Sequence, residues 1–198
     1  MFKKVEPTPN PRNPAYNIHR SQCTFGVDGG YSFGEQTSQD MGPLNGAPEW
    51  VQKCVNHAKQ IIREKYPHIS PDVVTVAHIN QYPHGKAALA QHQDKFPKGV
   101  PPNLPIFSYT AISHGTRLFS VTRDKAGKDI AKKFHLGNGD CLIMDGDFQK
   151  ELWHGVPRTT KKCAMNQVRY NVTIRPWGIL DASRKRPASD NLESTPKR

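Results

Sequence analysis

The chain has 198 residues, enough for one domain with a sizeable core plus tails. A formal net charge of +11 favours a polyanionic partner such as nucleic acid. No run approaches the roughly 18 apolar residues of a membrane span, and no apolar segment of the secretory type follows Met1. Cys23, Cys54, Cys141 and Cys163 are scattered without a C-x-x-C pair, which argues against a zinc ribbon or dithiol motif and for reduced thiols in an intracellular setting. Hydrophobic content of 35% and a mean hydropathy of −0.70 predict polar ends outside the core.

Residues 1–16 carry Pro7, Pro9, Pro11 and Pro14 and read as an extended proline-rich arm. From Ser21 to Gly34, β-prone pieces alternate with glycines, which predicts a small hairpin with aromatic tips. Pro48-Glu49 opens a helix. Trp50, Val51, Cys54, Val55, Ala58, Ile61 and Ile62 give it an apolar stripe that runs to about Lys65, before Pro67. Strands follow at Val73–Tyr82, Ala87–Asp94, Ile106–Ser113, Arg117–Thr122, Lys133–Leu136, Cys141–Met144, Trp153–Val156 and Val168–Pro176. Asp124 to Lys133 reads as a polar loop with several lysines, a second place for nucleic-acid contact. Gly137-Asn138-Gly139-Asp140 is a turn. One helix followed by many short antiparallel strands predicts an α+β, mainly β, double-sheet jelly roll. Residues 179–198 read as a disordered basic tail. Its cluster around Lys185 is compatible with nuclear import, so the expected location is cytoplasmic or nuclear.

His92-Gln93-Asp94 places an imidazole and a carboxylate two residues apart, on one face of a strand. His154 in Trp153-His154-Gly155 is the best candidate for a third ligand. Two histidines and one carboxylate with open positions opposite form the facial triad of non-haem Fe(II) oxygenases. Further on, Arg169, Asn171, Thr173 and Arg175 alternate along one strand, where they could hold a small dianion. H-x-D alone is a weak signal in a chain with nine histidines; the order of the pieces carries the reading.

That order, with Arg20-Ser-Gln-Cys-Thr-Phe-Gly, Asn80-Gln-Tyr82, His92-Gln-Asp94-Lys, His154-Gly and Arg169-Tyr-Asn-Val-Thr-Ile-Arg175, resembles the AlkB-like family of Fe(II)- and 2-oxoglutarate-dependent dioxygenases. The resemblance covers about residues 20–176 and implies a dioxygenase domain over 17–178, with a nucleotide-recognition lid at about 20–45. It implies that His92, Asp94 and His154 hold Fe(II), with 2-oxoglutarate and O2 as co-substrates. By the same likeness, Arg169 binds the distal carboxylate of 2-oxoglutarate with help from Tyr82 and Asn171. Arg175 and Asn80 hold the carboxylate beside the metal, and Thr173 lies on the same face.

For substrate, Phe25, Tyr31 and Phe33 are candidates to stack on a flipped base, and Lys95 and Arg117 to contact phosphate. Phe96 departs from the best-known bacterial members, which have an acidic residue there that contacts the base. The stretch from Asn80 to His92 is one residue longer than the family pattern, which predicts a small bulge near Gly85. The implied function is oxidative demethylation of 1-methyladenine- or 3-methylcytosine-type bases in DNA or RNA by a monomer. Hydroxylation of another base, nucleotide or protein side chain is the alternative, and a catalytically silent nucleic-acid-binding jelly roll is the second.

Overall fold

A computed structural model describes residues 20–27, 32–33, 36–101, 103–159 and 166–177. In chain order the strands are β1 (Ser21–Phe25), β2 (Ser32–Phe33), β3 (Gln36–Thr37), β4 (Gln39–Asp40), β5 (Val76–Tyr82), β6 (Leu89–His92), β7 (Ile106–Ile112), β8 (Arg117–Thr122), β9 (Ile130–Leu136), β10 (Cys141–Met144), β11 (Trp153–Val156) and β12 (Arg169–Arg175). The helices are α1 (Glu49–Lys65) and the short α2 (Phe148–Glu151). β10, β7, β12, β5, β1 and β4 form one sheet in that order, and β6, β11, β8 and β9 a second. Of the eight strands β5 to β12, β5, β7, β10 and β12 lie in the first sheet and β6, β8, β9 and β11 in the second, as in a double-stranded β-helix, the jelly roll expected from the sequence.

Helix α1 forms where the apolar spacing places it. Glu49 sits in the first turn, Arg63 and Lys65 in the last, each at the dipole end it favours. Val51, Val55, Ala58 and Ile62 are fully buried on the first sheet against Cys23, Phe25, Ala77, Ile79, Phe107, Tyr109, Val172 and Ile174. Each such large side chain contributes about 1.5–3 kcal/mol of burial. Trp50 departs from the expected stripe: it stays 36% exposed and packs edge-on against Tyr170, with ring centroids 6.3 Å apart.

The opposite face of that sheet is polar and faces the second sheet. Along β12, Val172 and Ile174 point to α1, while Arg169, Asn171, Thr173 and Arg175 point inward. In register beside them, Asn80 lies opposite Asn171 and Tyr82 opposite Arg169. A separate cluster of Ile106, Phe119, Val121, Leu136, Met144 and Val156 closes the space between the sheets.

Three sequence expectations change. β1 is not one arm of a separate hairpin; it pairs antiparallel with β5 and extends the first sheet, while β2 and β3 form their own two-stranded pair. Residues 130–133 belong to β9 rather than to a loop, because they pair with Ser120, Val121 and Thr122 across the edge of the second sheet. The extra residue near Gly85 is absorbed in a turn closed by Ala87 N–H to His84 O at 3.0 Å, and the register shift appears on β11 between His154 and Val156.

Gly26 ends β1 at φ 86°, where a Cβ would sit 1.9 Å from Thr75 O. Gly26→Ala should therefore cost about 3 kcal/mol or more in urea unfolding. Gly139→Ala, at φ 89° in open space, should cost only about 1 kcal/mol.

Candidate active site

β6 and β11 place His92 directly opposite His154, so the two imidazoles share a face. Their ring centroids lie 4.2 Å apart. Asp94 follows just past the end of β6 and is only 6% exposed. Its Oδ1 is 3.8 Å from His92 Nε2 and its Oδ2 3.8 Å from His154 Nε2. All three donor atoms fall within 4.8 Å of one another, a cluster that one ion can bridge. His92 Nδ1 lies 3.0 Å from Ala90 O and donates its hydrogen there, which leaves the Nε2 lone pair facing the cluster. The Asp94 backbone N–H donates to Gln149 Oε1 on α2 at 2.7 Å, fixing the carboxylate's approach.

The electrostatics suit a divalent cation. Burial raises the Asp94 carboxyl, but Arg175, then His154 and His92, outweigh it and hold it well below the usual carboxylate range. Arg175 Nη2 donates to Asp94 Oδ1 at 2.6 Å. Burial pushes His154 down to about 3, with His92 adding to the fall. Burial lowers His92 as well. Two neutral imidazoles and one carboxylate are the donor chemistry that Fe(II) takes.

At the far end of the inward row of β12, behind Tyr82, Arg169 is 2% exposed. Its Nη2 donates to Thr110 Oγ1 at 3.0 Å and its Cζ lies 5.2 Å from the Tyr82 ring centroid. Arg169 Nε and Nη1 have no hydrogen-bond partner among the described residues. Buried guanidinium donors left unmet are costly, and a carboxylate is the group that satisfies them. One carboxylate of a dicarboxylate such as 2-oxoglutarate suits these donors. Asn80, Tyr82 and Arg175 line the cavity of the triad. Asn171 braces the sheet as well as lining the cavity: its Nδ2 donates to Ser108 Oγ at 2.8 Å and to Tyr109 O at 2.9 Å. Thr173 Oγ1 in turn donates to Asn171 Oδ1 at 3.2 Å. Both side chains line the cavity but spend these bonds on β7 and on each other.

The substrate candidates divide. Phe25 is buried under α1 and cannot stack on a base; its place on the outer face of β1 makes it core. Arg117 is buried too, and its Nη2 donates to the carbonyls of Gly85, Ala87 and Pro157 at 2.9, 2.6 and 3.0 Å. It ties β8 to the β5–β6 connection, so the expected phosphate contact gives way to a structural role. Lys95 is exposed. Phe96 is half-buried and packs against two apolar clusters, one containing Val156 and the other Val76, Val100 and Trp177. Tyr31 and the Phe33 side chain lie outside the described residues.

Two cavity residues escaped the sequence reading. His78 is buried on the inner face of β5, with Nδ1 2.8 Å from Thr24 Oγ1, and burial holds it well below its usual range. Arg20 is 8% exposed, lines the cavity, and leaves Nε and Nη1 without partners among the described residues. The signal for His78 was the period of two in His78, Asn80 and Tyr82. For Arg20 it was the same period with Gln22 and Thr24. Phe119, stacked on His154 at 5.5 Å, and Phe148 at 5.8 Å give the metal side an apolar wall.

Gly155 has no room for a side chain: a Cβ would lie 2.8 Å from Leu89 O. Gly155→Ala should push β6 off β11, part His92 from His154, and weaken Fe(II) binding roughly 10- to 100-fold in a metal titration, with the far-UV spectrum unchanged. The depressed histidines also set a pH response. Their folded values lie below the ordinary 6.5. The stability they allow is thus complete above pH 6.5 and is lost as pH falls, because the unfolded chain takes up protons first. For the metal-free protein the loss should reach about 1.4 kcal/mol per pH unit for each histidine. Urea midpoints between pH 8 and pH 5 measure it, and His78→Asn should flatten the fall by one histidine's share.

A family profile described as the 2OG-Fe(II) oxygenase superfamily matches residues 5–175. Among solved structures, OsALKBH1 superposes with a TM-score of 0.50 at 20% identity, over 80% of this chain and 78% of that one. IDO from Bacillus thuringiensis superposes with a TM-score of 0.44 at 10% identity, over 78% of this chain and 72% of that one. No curated protein sequence matches significantly. The profile spans most of the chain and the OsALKBH1 likeness bears on the fold alone; with a donor set that fits iron and a buried arginine that fits a dicarboxylate, the protein belongs to the 2OG-Fe(II) oxygenase superfamily, as an Fe(II)- and 2-oxoglutarate-dependent dioxygenase of AlkB-like fold.

Proposed function

We propose that this dioxygenase removes N-methyl groups of the 1-methyladenine and 3-methylcytosine type from bases in DNA or RNA. The observation that carries a nucleic-acid substrate is Arg20. Strand β1 lengthens the first sheet past the jelly roll and brings a nearly buried guanidinium, with two unmet donors, to the cavity of the triad. Those donors suit the ring acceptors, sugar or phosphate of a nucleotide. The net charge of +11 suits the polyanion that carries it.

In this reading His92, Asp94 and His154 hold Fe(II). With 2-oxoglutarate and O2, the bound metal supplies oxidation of a methyl C–H bond, giving succinate, CO2 and a hydroxymethyl group that leaves nitrogen as formaldehyde. Arg169, stacked on Tyr82, anchors the far carboxylate of 2-oxoglutarate. Arg175 and Asn80 orient the near one, and Arg175 keeps Asp94 ionised. Asn171 and Thr173 hold β12 against β7 so that both arginines keep their aim. Leu89, Phe119, Met144 and Val156 line the same cavity and keep bulk water from the reacting methyl group.

Phe96 and Arg20 favour a second reading. Neither offers a carboxylate to a cationic ring, and Arg20 repels one. A neutral, carbonyl-bearing base such as 3-methyluracil suits that charge balance better. Short DNA and RNA oligomers, each with one methylated base of either class, test both readings by mass spectrometry. A 14 Da loss that requires 2-oxoglutarate and disappears in His92→Ala is expected. Arg20→Ala should lower kcat/KM about 100-fold while leaving Fe(II) and 2-oxoglutarate binding intact. Succinate formation without mass loss on any oligomer would sink the nucleic-acid substrate and leave the oxygenase.

A further inference from the structure

The second sheet carries a group of lysines that the reaction does not use. The β8–β9 connection and the outer part of β9 hold Lys125, Lys128, Lys132 and Lys133, all exposed. The acids beside them are already engaged. Asp124 accepts the backbone N–H groups of Lys128 and Asp129, and Asp129 pairs with Arg123 at 3.0 Å. Lys128, Lys132 and Lys133 form no ion pair among the described residues. Lys125 Nζ lies 5.6 Å from the centroid of the Trp153 ring. The result is a surface on which the lysines outnumber the carboxylates.

Register places this surface beside the metal cluster. Lys132 pairs with Val121, Val121 with His154, and His154 with His92, so one cross-strand row joins the lysine to both imidazoles. Past Thr122, β8 runs into the lysine-bearing turn at the same end of the sheet where β6 runs from His92 into Asp94. The turn also folds back across the sheet. A Cβ on Gly127 would lie 3.2 Å from Gln91 Cγ, and Gln91 is the neighbour of His92. Gln91 Nε2 donates to Ser120 Oγ at 2.6 Å, and Ser120 pairs with Lys133. Lys132 thus sits in the row that carries the imidazoles, while Lys133, the Gly127 turn and Lys125 over Trp153 lie on the opposite face, so the lysines surround the β9 edge of the second sheet at the level of the triad.

We propose that Lys125, Lys128, Lys132 and Lys133 form a seat for the phosphate backbone of a nucleic-acid strand, flanking the nucleotide whose base enters the cavity. This rests on the nucleic-acid reading above. Four flexible cations on a strand edge read no sequence; they fix register and add affinity through counterion release. The lid side of the cavity holds the reacting nucleotide, and this side holds its neighbours.

The test is fluorescence anisotropy of a labelled methylated 12-mer on the Fe(II)- and 2-oxoglutarate-loaded enzyme without O2, over a range of NaCl. One variant carries Lys128→Gln, Lys132→Gln and Lys133→Gln, sparing Lys125 because it packs over Trp153. A control carries Lys59→Gln, Arg63→Gln and Lys65→Gln on α1, behind the other sheet, with the same change of charge. The first variant should bind about tenfold more weakly at low salt, with the log–log salt slope shallower by about 2. The control should move by less than half as much. Turnover of the methylated mononucleoside, which has no backbone to seat, should be unchanged in both. Equal losses in the two variants, or none in the first, would overturn the seat while leaving the nucleic-acid reading intact. If the wild-type enzyme neither binds nor turns over any oligomer, that reading fails and takes the seat with it.

Discussion

The buried ion pair between Arg175 and Asp94 joins the last strand of one sheet to the loop leaving the other. At 2.6 Å, with both groups almost out of water, it is the point where the sandwich is held at its open end. Asp94 could not stay ionised there alone, because burial by itself favours the neutral acid. Removing Arg175 would leave an uncompensated buried charge, a loss of a few kcal/mol. The imidazoles depend on it in turn. A neutral Asp94 would no longer complete a set of two neutral nitrogens and one anion.

From that pair the rest of the site can be followed outward. β12 lies between β5 and β7, so its inward residues are braced from both sides. Asn171 bonds to β7 and Thr173 bonds to Asn171, leaving Arg169 and Arg175 as the two charged ends of one row. Six residue steps of strand separate them, a span of about 20 Å along the backbone.

Much of this was legible beforehand because it follows a period of two. Arg169, Asn171, Thr173 and Arg175 alternate with Tyr170, Val172 and Ile174, and polarity alone separates the faces. His92 and Asp94 were readable in the same way. What the sequence hid depends on partners far along the chain. Phe25 and Tyr31 look alike in a glycine-rich stretch; only the pairing of β1 with β5 turns Phe25 towards α1 and into the core. Arg117 looked like a surface cation until the three carbonyls it serves were brought to it by the β5–β6 turn and the chain after β11. Arg20 precedes a strand whose sheet position no local pattern announces. The β8–β9 segment was read as loop because its lysines mask an edge strand, whose outer face needs no apolar residues.

The central place of β12 also bears on how the chain folds. β5 and β7 are both made long before β12, yet neither has its permanent neighbour on that side until the final strand arrives between them. Contacts such as Asn80 with Asn171 span some 90 residues and form late. A growing polypeptide can therefore expose His92, Asp94 and His154 before β12 is free to pair between β5 and β7. Such a chain has the ligands but not the counter-charge or the dicarboxylate anchor. The dicarboxylate anchor and the partner of Asp94 are thus completed only with the last strand of the fold.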